Sequence, residues 1–268
     1  MFKNIVLFAH KNGQMKSGVE KTPFALRKYI RNNSKVITTK IEDNLYNNLQ
    51  NLYNDNSKLK QSILTIGGDH SMSIATVADS LQKYNQDLKV IWMDAHCDLN
   101  TYDSSPSKNY HGMPLSILTG LDIATRSQFS FLNHVPMLNL KNLLYIGIRD
   151  IDPYEEEILN RFNIEYITSE TVNTFPLDVC NRIHDFIDGS PVHLSFDVDS
   201  IDPTFIPSTG TPVSNGIDLE TCKVLLNHTL QSNVVSMDVT ELNLAEGGHD
   251  GRMKSFNNIK YLMKDIIL

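Results

Sequence analysis

The chain has 268 residues, 41% apolar and 21% charged, a balance that excludes disordered and fibrous classes and a length that can bury a substantial core. Lys plus Arg number 24 against 31 Asp plus Glu, a formal net charge of -7, so no basic surface invites nucleic acid as a partner. No apolar run approaches the ~18 residues of a membrane span, the opening residues do not read as a signal peptide, and Cys97, Cys180 and Cys222 form no CxxC pair; the expectation is a soluble, cytoplasmic protein without membrane partners.

Along the chain, β-rich runs alternate with helical patterns. Strand-like runs fall at 5–9, 36–41, 63–66, 89–93, 143–148, 165–168, 192–196 and 234–239. Several are apolar nearly throughout, as strands covered on both faces must be, and the segments between them are long enough for crossover helices. Helical patterns fall at 22–31, 44–59, 71–83, 153–162, 177–187, 219–230 and 255–267. The Asn-rich stretch 44–56 keeps Leu45, Leu49, Leu52 and Tyr53 at helical spacing, which reads as an amphipathic surface helix and not a linker. There is no repeat or linker. One domain over 1–268 is expected: a single-domain, three-layer α/β/α fold around an approximately eight-stranded, mainly parallel sheet. The irregular stretches 100–112 and 199–216 directly follow acidic clusters at strand ends, where long loops are usually functional.

Three clusters carry the chemistry: Gly67-Gly68-Asp69-His70-Ser71, Asp94-Ala95-His96-Cys97-Asp98, and Asp197-Val198-Asp199-Ser200-Ile201-Asp202-Pro203. Each ends a predicted strand on its carboxyl side, the edge where open α/β sheets place ligands, so distant segments converge on one crevice. Alternate residues at a strand end point the same way, which lets Asp94, His96 and Asp98 face one site while Cys97 points elsewhere as a packed thiol; Asp197 and Asp199 share the spacing. With His70 these make four carboxylates and two imidazoles, enough for two metal ions if some carboxylates bridge. Oxygen-rich ligation with His favours manganese over a thiolate-preferring metal, and paired cations suit hydrolysis. One such cluster alone reads more readily as a turn or cap, and His70 alone equally as a helix cap; three on one sheet edge reverse that. His10, His134, His184, His193, His228 and His249 have no acidic partner at useful spacing and read as structural or surface residues.

Together the clusters resemble the signature of the ureohydrolase superfamily, which contains arginases, agmatinases and formiminoglutamases. The resemblance spans most of the chain and includes Ser17-Gly18-Val19-Glu20, Gly147-Ile148-Arg149-Asp150-Ile151-Asp152-Pro153, Thr209-Gly210-Thr211-Pro212 and Met237-Asp238-Val239-Thr240-Glu241. It implies one manganese on His70, Asp94, Asp98 and Asp197 and a second on His96, Asp94, Asp197 and Asp199, with a bridging water that ionises to hydroxide. It further implies that Glu241 pairs with the substrate guanidinium beside Thr211 and that His111 shuttles protons at the mouth; Asp98 is then the nearest group to relay a proton to the leaving nitrogen.

Within the superfamily the loop 98–112 is similar to that of arginases. Asn100, Ser107 and Asn109 match groups that bind an α-carboxylate, and Asp152, with Glu155 near it, matches the acid facing an α-ammonium. The implied activity is arginase: hydrolysis of L-arginine to L-ornithine and urea with two Mn2+ per chain, in a homo-oligomer (trimer or hexamer). The alternatives are another ureohydrolase, such as agmatinase or guanidinobutyrase, or a non-catalytic metal-binding homologue. Tyr154 departs from the pattern, standing where arginases commonly have a small residue, which would reshape the rim of the site.

Overall fold

The computed structural model of the chain describes residues 2–31, 33–60 and 62–267. The expected strands all form: β1 (Asn4–Leu7), β2 (Lys35–Thr38), β3 (Ile63–Ile66), β4 (Lys89–Met93), β5 (Leu143–Ile148), β6 (Tyr166–Thr168), β7 (Val192–Asp197) and β8 (Val234–Thr240). They pair in one parallel sheet in the order β2-β1-β3-β8-β7-β4-β5-β6. The winding steps from β3 to β4 across two places that β7 and β8 fill later. Strands distant in sequence thereby become the neighbours at the centre.

The helices are α1 (Thr22–Arg27), α2 (Leu45–Ser57), α3 (Ser73–Tyr84), α4 (Pro114–Thr119), α5 (Ile123–Arg126), α6 (Pro153–Phe162), α7 (Ser169–Thr174), α8 (Pro176–Ile187), α9 (Leu219–Thr229) and α10 (Gly248–Ile267). The period-2 alternation of each strand sends side chains into two separate cores. On one face Ile91 and Met93 pack with Leu26 of α1, Ile183 of α8, Leu225 of α9 and Leu262 of α10. On the other, Val90 and Trp92 pack with Leu49 and Leu52 of α2, Val77 of α3, Leu115 of α4 and Ile158 of α6. This two-sided burial is why the strands read as apolar runs, and it makes the three layers. Leu45, Leu49 and Leu52 are buried, as the spacing in the Asn-rich stretch requires.

Differences from expectation have local causes. Helix α10 begins at Gly248 and not near Ser255, and Gly251 in its first turn lies against Pro207, where a Cβ would meet the ring at 3.2 Å. A glycine there reads as a break by propensity but is a packing contact in the fold. Helix α1 ends at Arg27, its pattern continuing as turns in which Tyr29 N donates to Leu26 O at 2.9 Å and Ile30 N to Arg27 O at 3.2 Å. Helices α4, α5 and α7 were not expected; runs of four to six residues are too short to display a 3.6-residue period.

Leu262 is fully buried between α10 and the sheet. Leu262→Ala is expected to cost about 2–5 kcal/mol in unfolding free energy. Denaturant titration checks this; a loss below about 1 kcal/mol would mean that α10 does not seal this core.

Candidate functional site

The central strands β3, β8, β7 and β4 end side by side, and the acidic clusters follow them directly. After β3 the chain turns over Gly67 and Gly68; a Cβ on Gly68 would meet His10 O at 1.6 Å, so only glycine allows this approach. Asp69, not His70, then caps the turn His70–Met72, its carboxylate accepting from Ser71 N at 3.1 Å, which leaves the His70 ring free to face the strand ends. After β4 the pairing with β5 continues as a bridge between His96 and Asp150, which carries Asp150 and Asp152 beside the second cluster. Arg149 fixes the loop after β7 by donating to the carbonyls of Asp199, Ser200, Val213 and Ser214 at 2.7, 3.1, 2.8 and 3.2 Å.

His70 Nδ1 lies 3.0 Å from Asp94 Oδ2, 2.9 Å from Asp98 Oδ2 and 3.2 Å from Asp197 Oδ2. His96 Nδ1 lies 3.4 Å from Asp94 Oδ1 and 3.3 Å from Asp199 Oδ2. Two groups able to hold a cation result, His70–Asp94–Asp197 and Asp94–His96–Asp199, joined through Asp94. Asp98 sits at the first. Supporting contacts orient them: His70 Nε2 meets Ser195 Oγ at 2.8 Å and the ring stacks on Trp92 with centroids 4.2 Å apart. Trp92 Nε1 donates to Asp94 Oδ2 at 3.1 Å, His96 N to Asp94 Oδ1 at 2.8 Å, Asp199 N to Asp197 Oδ1 at 2.8 Å, and Thr211 Oγ1 to Asp199 Oδ2 at 3.1 Å.

The residues fit a cation. With Nε2 engaged by Ser195, His70 Nδ1 is buried and has no hydrogen-bond partner among the described residues, although three carboxylates surround it. A buried ring nitrogen surrounded by three carboxylates is the arrangement a bound cation satisfies. The electrostatics agree. Burial opposes a charged imidazole at His70, yet Asp197, Asp94 and Asp98 drive its pKa well above the ordinary value. Burial and the neighbouring carboxylates Asp199 and Asp94 push Asp197 well above the usual range, and burial with the charge of Asp94 pushes Asp98 up to about 6. Positive charge is what this pocket lacks.

Above this floor lies a cleft of about 240 Å³, lined by His70, His96, Asp98, Asp197 and Asp199 and by Asn100, Ser107, His111, Asp152, Glu155, Thr211 and Glu241. All the candidate residues therefore meet in one place except two. Asp94 lies beneath the lining, 1% exposed, and Asn109 stands outside it. Tyr154 is not among the residues lining the cleft; its ring packs against the second core. Glu241 accepts from His70 N at 2.8 Å and meets His111 Nδ1 at 3.1 Å; burial opposes charge on His111, but the bond to Glu241 raises its pKa to about 9. Asn100 Nδ2 donates to Asp152 Oδ2 at 2.8 Å.

Glu155 is more a brace than an open ligand. Its two oxygens accept from Leu99 N at 2.9 Å and Asp152 N at 3.0 Å, fixing the start of α6 against the loop after β4. Cys97 is a buried free thiol, as expected. Two histidines without acidic partners in sequence gain them through the sheet: His193 Nε2 lies 3.0 Å from Asp238 Oδ2 on the adjacent strand, and His10 Nε2 lies 3.8 Å from Asp69. Both are fully buried, so the structural reading of them stands while its stated reason does not. Asp150 and Ser195 were not singled out, although each sits two residues before a candidate, Asp152 and Asp197, where period-2 spacing signals the same face. Gln14, bonded to Glu241 across most of the chain, gives no such signal.

Burial, ahead of the opposing backbone bonds, raises the Glu155 carboxyl from 4.5 to about 7. The folded state therefore holds a proton that the unfolded state has released, and stability falls as pH rises from 4.5 to 7. The loss is roughly 3 kcal/mol. Glu155→Gln, whatever its absolute stability, is expected to flatten that part of the profile in urea titrations at pH 5 and pH 8 (values chosen to bracket roughly this window); an unchanged profile would remove Glu155 as its source.

Residues 6–253 match the model of the arginase family. An arginase of Neurospora crassa is 38% identical over 192 residues, which is 68% of this chain and 53% of that protein. The chain spans about half the length of the curated relatives it matches. The crystal structure of Entamoeba histolytica arginase in complex with L-ornithine has a TM-score of 0.86 at 29% identity, covering 98% of this chain and 99% of that one. Arginase from Bacillus subtilis has a TM-score of 0.88 at 25% identity, covering 100% and 98%. With its parallel sheet, its paired cation groups and a family match that runs through both, the chain belongs to the arginase family.

Proposed function

We propose that the chain is an arginase, hydrolysing L-arginine to L-ornithine and urea with two manganese ions per chain. The observation that carries this reading is the buried carboxylate of Glu241 set against His70, a residue of the first cation group, in the same cleft that Asn100, Ser107 and Asp152 line. A cationic guanidinium head fits Glu241, and a zwitterionic tail fits Asp152 with the neutral groups of Asn100 and Ser107. Family membership supports the reaction, and the E. histolytica arginase structure holding L-ornithine supports the product. No described helix is long and apolar enough to cross a membrane. The reading extends to a homo-oligomer in the cytoplasm.

His70, Asp94, Asp98 and Asp197 would hold one manganese, and His96, Asp94, Asp197 and Asp199 the other. When bound, the ions lower the pKa of a water and stabilise the charge that develops as it attacks. The chain's own residues do the rest. Glu241 accepts the guanidinium N–H groups and fixes the plane of the substrate, with the Thr211 hydroxyl beside it. Asp98 carries a proton to the leaving nitrogen. His111 holds a proton against Glu241, with its side chain 17% exposed; a guanidinium that takes over the Glu241 charge weakens that hold, so the proton can pass to solvent at the mouth. Asp152, oriented by Asn100 and by the Glu155 brace, faces the α-ammonium, while Ser107, with Asn109 behind it, donates toward the α-carboxylate.

Metal analysis is expected to find two manganese ions per active chain, and Asp94→Asn or Asp197→Asn to lower both content and turnover, since each removes a charge shared by two ions. One ion per fully active chain would overturn the two-metal reading. Agmatine lacks the α-carboxylate and so forgoes hydrogen bonds to a charged group, worth about 1.5–3 kcal/mol each, and arginine should be preferred by roughly 100-fold or more in kcat/KM. Ser107→Ala, which removes a donor to the carboxylate that agmatine lacks, is expected to narrow that gap with metals retained. Urea release from the two substrates measures it; equal or better use of agmatine by the parent would make the chain a different ureohydrolase.

A further inference from the structure

The carboxylate of Glu241 has a partner that lies outside both the cation groups and the cleft lining. Gln14 Nε2 donates to Glu241 Oε2 at 2.8 Å and to Oε1 at 3.1 Å. Oε1 already receives His70 N and faces His111 Nδ1, whereas Gln14 is the only donor to Oε2 among the contacts described. One amide nitrogen spanning both oxygens fixes the rotation of the carboxylate plane, which neither of the other two contacts does.

Gln14 is itself held. It lies on the loop 11–18 after β1, and that loop is tied to three strand-end segments. Gly13 N donates to Asp69 Oδ2 at 2.9 Å, Gly13 O accepts from His111 N at 3.1 Å, and Lys16 Nζ bonds Gly210 O. A Cβ on Gly13 would meet Asp69 Oδ1 and Ser71 Oγ at 2.4 Å, so the backbone of the loop is seated directly on the turn that presents His70. Glu241 needs outside support because its own backbone has φ 63°, a left-handed conformation that side chains other than glycine rarely adopt.

We propose that Gln14 is a positioning residue for the guanidinium: its amide holds the Glu241 carboxylate in the plane that receives the substrate. Being neutral, it does so without cancelling the negative charge, which a lysine or arginine in its place would. This rests on the reading of Glu241 as the guanidinium partner. The head of the substrate is affected and the α-amino acid end is not.

The test uses the manganese-loaded full chain, with L-arginine as substrate and L-ornithine, which has the same α-groups but no guanidinium, as a competitive inhibitor. Gln14→Leu is expected to lower kcat/KM for arginine by about 10- to 100-fold, the range for a hydrogen bond to a charged group, with manganese content and the inhibition constant of L-ornithine unchanged. Gln14→Glu keeps the shape, loses the donor and adds a like charge; it is expected to be the more damaging and decides the matter alone if the leucine variant does not fold. Parental arginine kinetics in either folded variant would overturn the proposal. So would an equal weakening of arginine and ornithine, which is what a merely structural loop defect produces. Glu241→Gln is measured in parallel: if it is inactive while the Gln14 variants are parental, only the role of Gln14 falls, and if it is itself parental, the Glu241 reading falls and takes this one with it.

Discussion

Four aspartates of like charge share one buried pocket, and the rest of the molecule is arranged around that repulsion. Asp94, Asp197 and Asp199 are no more than 2% exposed and Asp98 is 7% exposed. Carboxylates this close in a low-dielectric interior cannot all stay ionised unless positive charge and hydrogen-bond donors are brought to them. The chain supplies two imidazoles and a set of backbone N–H groups, those of Ala95, His96 and Asp199, each directed at a carboxylate oxygen. The remaining deficit falls at His70 Nδ1 and between the two ligand groups, and it is the physical reason the site calls for cations.

Holding such a pocket open to substrate on one side demands rigidity on the other. Beneath His70 a fully buried polar brace runs through Ser195 to Ser73, 3.2 Å away, and from Ser73 to Asp238 at 2.9 Å. Thr76 and His193 bond the same Asp238 oxygen at 2.6 and 3.0 Å, and Ser80 meets the other nitrogen of His193 at 2.9 Å. This links α3 to β7 and β8 through polar contacts in the middle of an apolar layer. Such networks rigidify when their members are paired, which suits the support of a metal ligand. Two residues of the site, Asp98 and Glu241, have left-handed backbone, at φ 50° and 63°, as do Asn85, Lys108, Asn163, Asp188 and Asn215 outside it. The two site residues are over-determined by their neighbours, Asp98 by His70 and Glu241 by three donors.

The cleft divides its labour by charge. Among its lining residues Glu241 offers a buried anion, while Asp152 and the neutral groups of Asn100 and Ser107 form a mixed wall. The loop 100–112 builds that wall by bonding to itself and to the neighbouring helix region, as in Ser104 Oγ to Asn100 Oδ1 at 2.9 Å and Tyr102 N to Asp122 Oδ2 at 2.8 Å. A long loop is thus made firm by short polar side chains, which explains a composition that resembles an ordinary surface loop.

Much of this was legible in the sequence, because it depends on local periodicity. Alternation within strands named Asp94, His96 and Asp98 as one face, apolar runs such as 143–148 marked strands buried on both sides, and the Leu45, Leu49 and Leu52 spacing identified a helix inside an Asn-rich stretch. What the tertiary structure decided is whatever depends on which strands are neighbours. The order β3-β8-β7-β4 places Asp238 against His193 and Glu241 against His70, and no spacing rule connects residues on strands inserted so late into the sheet. Gln14 belongs to the same class: its partner is 227 residues away, and its chemistry is visible only once the loop after β1 lies across the end of β8. The sequence determined the ligand types and their local geometry, since these follow from residue chemistry and a two-residue repeat; the fold decided their partners, since those follow from the order in which the strands are laid side by side.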